Sequence, residues 1–367
     1  MINFQYLKGI GFASILAFVP MTLHAQDMDF PSDLWQRYDT VERAGFSEKG
    51  IKALDQTVSS MNTHSMMVIT NGKVAYEYGD LETTTYVASV RKSVLAMLYG
   101  PYVKDGTINL DATLSDIGID DAQGLLDIEK QATIDHLVTA RSGIYHPASN
   151  GGDNTADAPE RGSQQPGTYF LYNNWDFNAS GAIFEKLTGK NIYDALNDQM
   201  VGPLNMQDFD LQKHLDDGKT GNLERSHFPA YHMHFSTRDL ARVGHLMLNK
   251  GVWDGQRLYD EAWIEKIVST VTPKSDMNPM SVRQGDFGYG YMWWVFDKDT
   301  NAPEYEGAYA GRGHYGQYLV VLPKLNMVIS HKTMPQRYSS PEEYAKIRVT
   351  WPQMKEIVDA VLAARAE

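Results

Sequence analysis

The segment ASVRKSVLAML, residues 88–98, places a serine and a lysine three residues apart at the start of an apolar stretch. Residues i and i+3 of a helix share one face, so the Lys92 amine can lie against the Ser89 hydroxyl. A desolvated lysine loses its proton more easily and can act as the base that activates a serine nucleophile. Free N–H groups at a helix start also favour an oxyanion. The alternative is a capping serine beside a solvated lysine.

A second candidate pair is Tyr172 and Asn174, in the segment PGTYFLYNNWDFNASG, which holds the only Tyr-x-Asn of the chain. A tyrosine beside a lysine ammonium has its pKa lowered, and we expect such a phenol to relay a proton. The asparagine amide can hydrogen-bond a substrate amide or the lysine. The alternative is structural, since Asn-Asn before a helix is good capping chemistry and the tyrosine can belong to the core.

The third candidate is the segment GRGHYGQYLVVLP, residues 311–323, which carries His314. Glycines at the start of a strand allow a ligand to approach the backbone closely. The alternative is the start of a hairpin with a surface histidine.

Apolar periodicity and turn residues indicate the elements that must position these side chains. A helix is predicted over residues 47–61, then a β-hairpin at Asn71-Gly72, because both positions of such a turn need positive φ. A further helix is predicted from Ser89 to Lys104. Towards the C-terminus we predict one aromatic strand over 287–296, a hairpin formed by 318–323 and 327–333, and a closing helix.

Between these β-rich ends, residues 107–280 have the pattern of short helices separated by Gly, Pro and Asn. We therefore predict an α/β domain made of residues 26–106 and 281–367, with 107–280 inserted as a mostly helical domain. Within the insertion, residues 146–167 are polar and rich in Gly, Asn and Pro. Loops of this length are usually functional or disordered, and we predict an active-site loop here.

Taken in chain order, the three motifs resemble those of the serine β-lactamase and penicillin-recognising superfamily. The segments TARSGIYHPAS, PGTYFLYNNWDFNASG and STRDLARVGHLML are similar to its branch of esterases, D-amino-acid-releasing peptidases and nylon-oligomer (aminohexanoate-dimer) hydrolases. The resemblance implies a β-lactamase/transpeptidase-like α/β (α+β) fold. In that fold an antiparallel sheet is flanked by helices and carries an inserted, mostly helical domain.

The resemblance also implies roles for individual residues. Ser89 attacks the carbonyl and forms an acyl-enzyme, while Lys92 and Tyr172 activate it and then protonate the leaving group. Asn174 orients the substrate. The backbone N–H groups of Ser89 and Gln317 form the oxyanion hole, and water hydrolyses the ester.

The superfamily's third motif, Lys-Thr-Gly, matches His314-Tyr315-Gly316, where His314 and Gly316 are expected to bind substrate. An unperturbed histidine is mostly uncharged at neutral pH, so a fixed site for a carboxylate is less expected than with lysine. The resemblance then implies a hydrolase of small esters or linear amides. The alternatives are a β-lactamase, a D-Ala-D-Ala carboxypeptidase or D-aminopeptidase, or a penicillin-binding-like receptor without turnover. Tyr145 and Trp175 adjoin the motifs and are expected either as pocket walls or as core residues.

Composition narrows the remaining classes of function. The net charge of −13 and the lack of a basic cluster argue against nucleic acid and anionic membranes as partners. The chain has no cysteine, which excludes disulfides, iron–sulfur clusters and a thiolate nucleophile. His227, His232 and His234 lie close in sequence, but no His-Glu-x-x-His is present, and neither a metal nor another cofactor is predicted. The expected partner is a small ester or amide, and the sequence does not indicate an oligomeric state.

The first residues, MINFQYLKGIGFASILAFVPMTLHAQ, have the pattern of a secretory signal peptide over residues 1–25. Lys8 supplies the positive charge, an apolar core follows, and LHA precedes the expected cleavage after Ala25. The apolar run is shorter than the ~20 residues of a spanning helix. A periplasmic or secreted protein, with no membrane span after cleavage, is predicted.

Overall fold

The computed structural model describes residue 1, residues 28–297 and residues 302–366. Residues 2–25 of the predicted signal peptide therefore lie outside the described residues. Within the described part of the chain, no helix combines the length and the apolar character needed to cross a membrane.

The described residues form ten α-helices and thirteen strands. The helices are α1 Glu48–Ser59, α2 Val90–Lys104, α3 Ile134–Val138, α4 Asn174–Thr188, α5 Ile192–Leu196, α6 Leu211–Asp217, α7 Thr237–Leu248, α8 Glu261–Ile267, α9 Pro341–Lys346 and α10 Trp351–Ala364. The strands are β1 Ser65–Thr70, β2 Lys73–Gly79, β3 Thr85–Tyr86, β4 Lys219–Thr220, β5 Ala230–Tyr231, β6 His234–Phe235, β7 Val252–Trp253, β8 Gln256–Arg257, β9 Phe287–Tyr289, β10 Trp294–Phe296, β11 Tyr309–Gly313, β12 Gln317–Leu322 and β13 Met327–Lys332.

Seven strands form the main sheet, in the order β2-β1-β13-β12-β11-β10-β9, and every neighbouring pair is antiparallel. The hairpin predicted at Asn71-Gly72 joins β1 to β2, with φ of 49° and 84° at the two turn residues. The predicted second hairpin joins β12 to β13, and Asn326 there also has a positive φ of 48°. The predicted antiparallel sheet flanked by helices is confirmed.

Both faces of the sheet are covered, which explains why all six residues of β12 are buried. Side chains of a strand alternate between faces. On one face Val320 and Leu322 pack with α1 and α10, and on the other Leu319 and Val321 pack with α2 and α7. The helix α7 lies so close to the sheet that a Cβ on Gly244 would be 2.5 Å from the Val328 side chain.

The prediction of one strand over residues 287–296 is wrong. The segment forms β9 and β10, which pair with each other as a hairpin. The turn between them contains Met292, whose φ is 58° and whose N–H donates to the carbonyl of Val138. The sequence did not indicate this turn because aromatic residues continue through it in a strand-like pattern. Tyr291 and Trp293 within the turn are buried, as residues of a strand would be.

The main sheet is built entirely from residues outside the range 107–280. That range contains α3 to α8, the short strand pairs β4-β5 and β7-β8, and β6, whose partner β3 precedes the range. The domain boundaries themselves remain a prediction. The segment 146–167 contains one short 3₁₀-helix, Thr155–Asp157, and is otherwise irregular until the chain reaches α4.

Candidate active site

Ser89 lies at the turn that leads from β3 into α2. The preceding residue, Ala88, has a φ of 49°. Such left-handed backbone is uncommon for a residue with a side chain, and it clusters at functional sites. Ser89 itself is half-buried, and its hydroxyl makes no capping hydrogen bond to α2. The capping alternative for Ser89 is therefore not what the structure shows, and the hydroxyl is available for chemistry.

Lys92 extends from α2 to a buried point between three polar atoms. Its Nζ lies 3.1 Å from Ser89 Oγ, 2.6 Å from Tyr172 Oη and 2.7 Å from Asn174 Oδ1. The residue is 1% exposed, so its amine does not point to solvent. The amide oxygen of Asn174 can only accept a hydrogen bond, so it binds an N–H of the amine. The lone pair of an uncharged amine is then left for a hydroxyl of Ser89 or Tyr172.

The environment of Lys92 favours the uncharged amine. Burial lowers the pKa of Lys92 well below its ordinary value of 10.5, and the positive charge of Arg91 lowers it further. The carboxylate of Asp153 acts in the opposite direction and is the smallest of the three effects. A base whose pKa is lowered towards the working pH is suited to take a proton from a hydroxyl.

The expectation of a lowered pKa for Tyr172 is wrong. Burial raises the pKa of this phenol to about 12, and a hydrogen bond with Ser89 and the charge of Arg91 offset only part of that increase. The expectation assumed a charged lysine beside the phenol, whereas the buried lysine favours its neutral form. Tyr172 therefore stays protonated near neutral pH, and Lys92 is the better base of the two.

Asn174 is the first residue of α4, and it positions Lys92. Its Nδ2 donates to the carbonyl of Gly151 at 2.8 Å, which turns its Oδ1 towards the lysine. Its backbone N–H donates to Asp153 Oδ2 at 2.7 Å. Asn174 is 2% exposed and does not line the cavity described below, so the structure places it against the lysine and the loop 146–167.

The strand that approaches Ser89 is β11. A Cβ on Gly313 would lie 2.4 Å from the carbonyl oxygen of Val87 and 3.3 Å from Cβ of Ala88. Only glycine permits this approach of the strand to the turn before Ser89. The backbone at the end of β11 is therefore next to the candidate nucleophile.

The structure does not place Gln317 where the oxyanion hole was predicted. Gln317 pairs with Gly313 at the start of β12, one strand further along the sheet, and is fully buried. Its side chain donates to the carbonyl of Thr333. The segment His314-Tyr315-Gly316 forms the turn between β11 and β12, with φ of 65° at Tyr315, so the strand beside Ser89 ends before it. The backbone that lies beside the turn before Ser89 is that of Gly313, four residues before Gln317.

A cavity of about 400 Å³ opens at Ser89. Its walls come from the loop 146–167, from β10 and β11, from the turn after β11, and from the segment that leads into α10. The predicted residues that line it are Ser89, Tyr172, His314 and Gly316, and the main additions are Asp153, Trp294, Arg312, Arg348 and Trp351.

Arg312 is a cavity residue that the sequence analysis missed. Its guanidinium lies 4.7 Å from the centre of the Phe287 ring, 4.6 Å from that of Trp294 and 5.2 Å from that of Trp351. Burial lowers its pKa, but an arginine remains charged. The signal was present, since an arginine between two glycines at a strand end has room to reach a ligand. The cavity therefore holds a fixed cation, although His314 does not supply it.

His314 belongs to an aromatic cluster at the rim of the cavity. Its ring stacks on Tyr344 at 4.3 Å, and its Nδ1 lies 2.7 Å from the Tyr344 hydroxyl, which also accepts from the Tyr315 N–H. Loss of hydration and the charge of Arg348 lower the pKa of His314, so the ring is uncharged at neutral pH. This agrees with the expectation that the histidine does not act as a cation.

Tyr145 and Trp175 do not form cavity walls. Trp175 is fully buried in α4, and its Nε1 donates to Asp121 Oδ2 at 2.7 Å on the side of the helix away from the cavity lining. The hydroxyl of Tyr145 is buried near Asp176 rather than in the cavity. Trp175 turns away from the site although it directly follows Asn174, because successive helix residues point about 100° apart.

The described residues contain no group of three or more side chains able to hold a metal ion. His232 and His234 instead pack against the Tyr86 ring, at 4.3 and 5.8 Å. Burial lowers the pKa of both histidines to about 4.

Three comparisons place this geometry among known proteins. Residues 52–333 match the family model named Beta-lactamase. The chain is 22% identical over 264 residues to an uncharacterized protein of Alkalihalophilus pseudofirmus, covering 67% of this chain and 72% of that one.

Solved structures are similar over most of both chains. A protein of Bacillus anthracis assigned as a 6-aminohexanoate-dimer hydrolase has a TM-score of 0.62 and 19% identity, covering 86% of this chain and 83% of that one. A family VIII carboxylesterase has a TM-score of 0.59 and 14% identity, and the match covers 87% of this chain and 99% of the carboxylesterase chain. At these identities the structural likeness establishes the fold, which is β-lactamase/transpeptidase-like as predicted.

Proposed function

Because the chain belongs to the beta-lactamase family and has the fold of its serine hydrolases, we propose that it cleaves a small ester or linear amide through an acyl-enzyme on Ser89. The observation that carries this proposal is the buried Lys92 amine, 3.1 Å from the Ser89 hydroxyl at the floor of a cavity. This arrangement pairs a nucleophile with a desolvated base.

The acylation step uses the two hydroxyls around Lys92. The uncharged amine takes the Ser89 proton as Oγ attacks the substrate carbonyl carbon, which gives a tetrahedral oxyanion and an ammonium. The C–O or C–N bond to the leaving group then breaks. The ammonium returns its proton to the leaving group, and the Tyr172 hydroxyl, 2.6 Å from Nζ, can relay it.

We assign the oxyanion donors to the backbone around Ser89. One is the Ser89 N–H at the start of α2, where the helix dipole favours negative charge. The second is an N–H at the end of β11, at Gly313 or His314, since this backbone lies against the turn before Ser89 and lines the cavity. In the second half of the cycle, water gives a proton to Lys92 as its oxygen attacks the ester carbonyl carbon. The bond between that carbon and Ser89 Oγ then breaks, and Lys92 returns the proton to Oγ.

The cavity supports a substrate with an anionic group and an apolar portion. Arg312 supplies a fixed positive charge, and no ion pair to it lies among the described residues. The Trp294 ring stacks on Tyr172 at 5.5 Å and offers an apolar surface beside Ser89. A carboxylate-bearing ester or amide fits this pairing. Because β-lactams also carry a carboxylate, Arg312 keeps β-lactam hydrolysis as the second candidate function.

A substrate panel separates these candidates. With p-nitrophenyl butyrate, 6-aminohexanoate dimer and nitrocefin compared at equal concentration, we expect kcat/KM to be higher for the ester or the linear amide than for nitrocefin. Faster hydrolysis of nitrocefin would overturn the proposed substrate class. One stoichiometric burst without steady turnover would instead indicate a receptor that acylates and stalls.

The role of Arg312 is tested by Arg312→Met with two esters that differ by one terminal carboxylate, p-nitrophenyl butyrate and mono-p-nitrophenyl glutarate. A charge-assisted hydrogen bond is worth about 1.5–3 kcal/mol, so KM for the glutarate ester should rise about 10- to 100-fold. KM for the neutral ester should change by less than about threefold, since it makes no such bond. Equal effects on both esters would show that Arg312 only shapes the cavity.

Export to the periplasm or the medium is proposed from the signal-like segment at residues 1–25 alone. Expression of the full chain in a bacterial host, followed by fractionation and N-terminal sequencing, tests it. Cleavage after Ala25 is expected, and an intact N-terminus in the cytoplasmic fraction would contradict it.

A further inference from the structure

Arg91 lies within the Ser-x-x-Lys motif but has no part in the chemistry proposed above. It is 2% exposed, and its guanidinium lies 4.5 Å from the centre of the Tyr231 ring. One Nη atom donates to Asn178 Oδ1 at 3.2 Å, while Nε and the other Nη atom have no hydrogen-bond partner. No ion pair to Arg91 occurs in the described parts of the chain. The residue is thus a buried cation without an anion.

The Asn178 amide cannot neutralise this charge, but it holds the guanidinium in place. Asn178 Nδ2 donates to Asn150 Oδ1 at 2.8 Å, which turns its Oδ1 towards Arg91. The arginine is therefore held between α4, the start of the loop 146–167 and the Tyr231 ring.

The titratable groups that face Arg91 also leave its charge uncompensated. They are Tyr86 on β3, Tyr172 before α4, Tyr193 on α5, Tyr231 on β5, and His232 directly after β5. Burial raises the pKa of each of these tyrosines and lowers that of the histidine, so all five are uncharged at neutral pH.

Lys92 is the next residue on α2, and both side chains contact the same face of α4. Lys92 Nζ lies 2.7 Å from Asn174 Oδ1 and Arg91 lies 3.2 Å from Asn178 Oδ1, and these two asparagines are one helical turn apart. The charges of Arg91 and Asp153 both act on Lys92, in opposite directions. Two adjacent buried cations repel each other in a medium that screens them weakly. Arginine cannot release its proton in a protein, whereas lysine can. The repulsion is therefore relieved only when Lys92 becomes uncharged.

We propose that Arg91 is a positioning residue whose permanent charge keeps the Lys92 amine in the uncharged form that accepts the Ser89 proton. This inference rests on the proposed function and adds that Arg91 sets the pH range in which the enzyme is active. A purely structural arginine would affect folding and leave the pH dependence of catalysis unchanged.

The test is the rate at which a fluorophosphonate labels Ser89 as a function of pH, measured by intact mass, which needs no knowledge of the substrate. In this reaction the Oγ–P bond forms, the P–F bond breaks, fluoride leaves and Lys92 takes the hydroxyl proton. Removal of a positive charge stabilises the ammonium, so the acidic limb of the profile in Arg91→Met should move to higher pH by about one unit. On that limb, labelling should be about tenfold slower than in the wild type.

Two variants and one control separate charge from structure. Arg91→Lys puts a side chain that can release its proton at the same buried site, so its acidic limb should also move to higher pH, as in Arg91→Met. Asn178→Asp places a carboxylate where an oxygen lies 3.2 Å from the guanidinium, and it should move the limb upward as Arg91→Met does. Arg242→Met removes another buried arginine, 1% exposed, whose guanidinium donates to the carbonyls of Leu204 and Asp33 and is not among the charges that act on Lys92, and it should leave the limb unchanged.

If Arg91→Met folds and its acidic limb stays at the pH of the wild type, the proposal is overturned. If Arg91→Met does not fold, an unshifted acidic limb in Asn178→Asp overturns the proposal instead. Labelling of Ser89→Ala at the wild-type rate would instead overturn the proposed nucleophile, so the two failures are distinguishable.

Discussion

Replacement of Ser89 by alanine is expected to lower kcat/KM for p-nitrophenyl butyrate by at least about 10³-fold, because it removes the oxygen atom that is proposed to form the acyl-enzyme. Lys92 stays buried in the variant with its contacts to Tyr172 and Asn174, so the fold is expected to tolerate the change. Initial rates of ester hydrolysis on purified wild-type and variant protein measure the effect.

Ser93→Ala is the matched control for this variant. Ser93 lies one turn further along α2, is 1% exposed, and donates to the carbonyl of Met292 at 2.7 Å. Its replacement removes a buried hydroxyl from the same helix and should cost stability while changing kcat/KM by less than about tenfold. Equal losses in both variants would mean that the helix, rather than the Ser89 hydroxyl, carries the effect.

Replacement of Lys92 by methionine is expected to lower kcat/KM by about 10²–10⁴-fold, the contribution typical of a positioned general base. In the wild type, activity should fall as pH drops through the lowered pKa of Lys92, because protonation removes the lone pair that accepts the Ser89 proton. In Lys92→Met the residual activity should lack this acidic limb. A pH profile of kcat/KM for both proteins tests the expectation.

Lys332→Met is the control for loss of a buried lysine. Lys332 ends β13, is fully buried, and donates to the carbonyl of Phe235. This variant should be less stable and keep the acidic limb of the wild type. An unchanged limb in Lys92→Met, or a limb lost in Lys332→Met, would contradict the assignment of the base.

Local signals predicted much of the fold. Ser47 caps α1 through a hydrogen bond from the Gly50 N–H, and the Asn71-Gly72 turn adopts positive φ at both residues, as their chemistry requires. These features depend on residues close in sequence, so the sequence alone was sufficient. The split of 287–296 into β9 and β10 depends on a turn whose Met292 binds Val138, about 150 positions away in the chain.

The candidate site was predictable to the extent that its geometry is local. Ser89 and Lys92 share one turn of α2, and their meeting follows from helix periodicity. Gln317 was misplaced because strand register depends on pairing across the sheet, which one sequence does not reveal. The glycines on either side of Arg312 indicated room for a ligand, but its place in the cavity depends on the approach of β11 to the turn before Ser89, which the sequence does not show.

The central claim is that Ser89 is a nucleophile activated by the buried Lys92. Its most direct test is the intact mass of wild type and Ser89→Ala after reaction with a fluorophosphonate at neutral pH, with peptide mapping of the adduct. We predict one phosphonate per wild-type chain, located on the peptide that contains Ser89, and no adduct on the variant. An adduct on another residue, or equal labelling of both proteins, would contradict the claim.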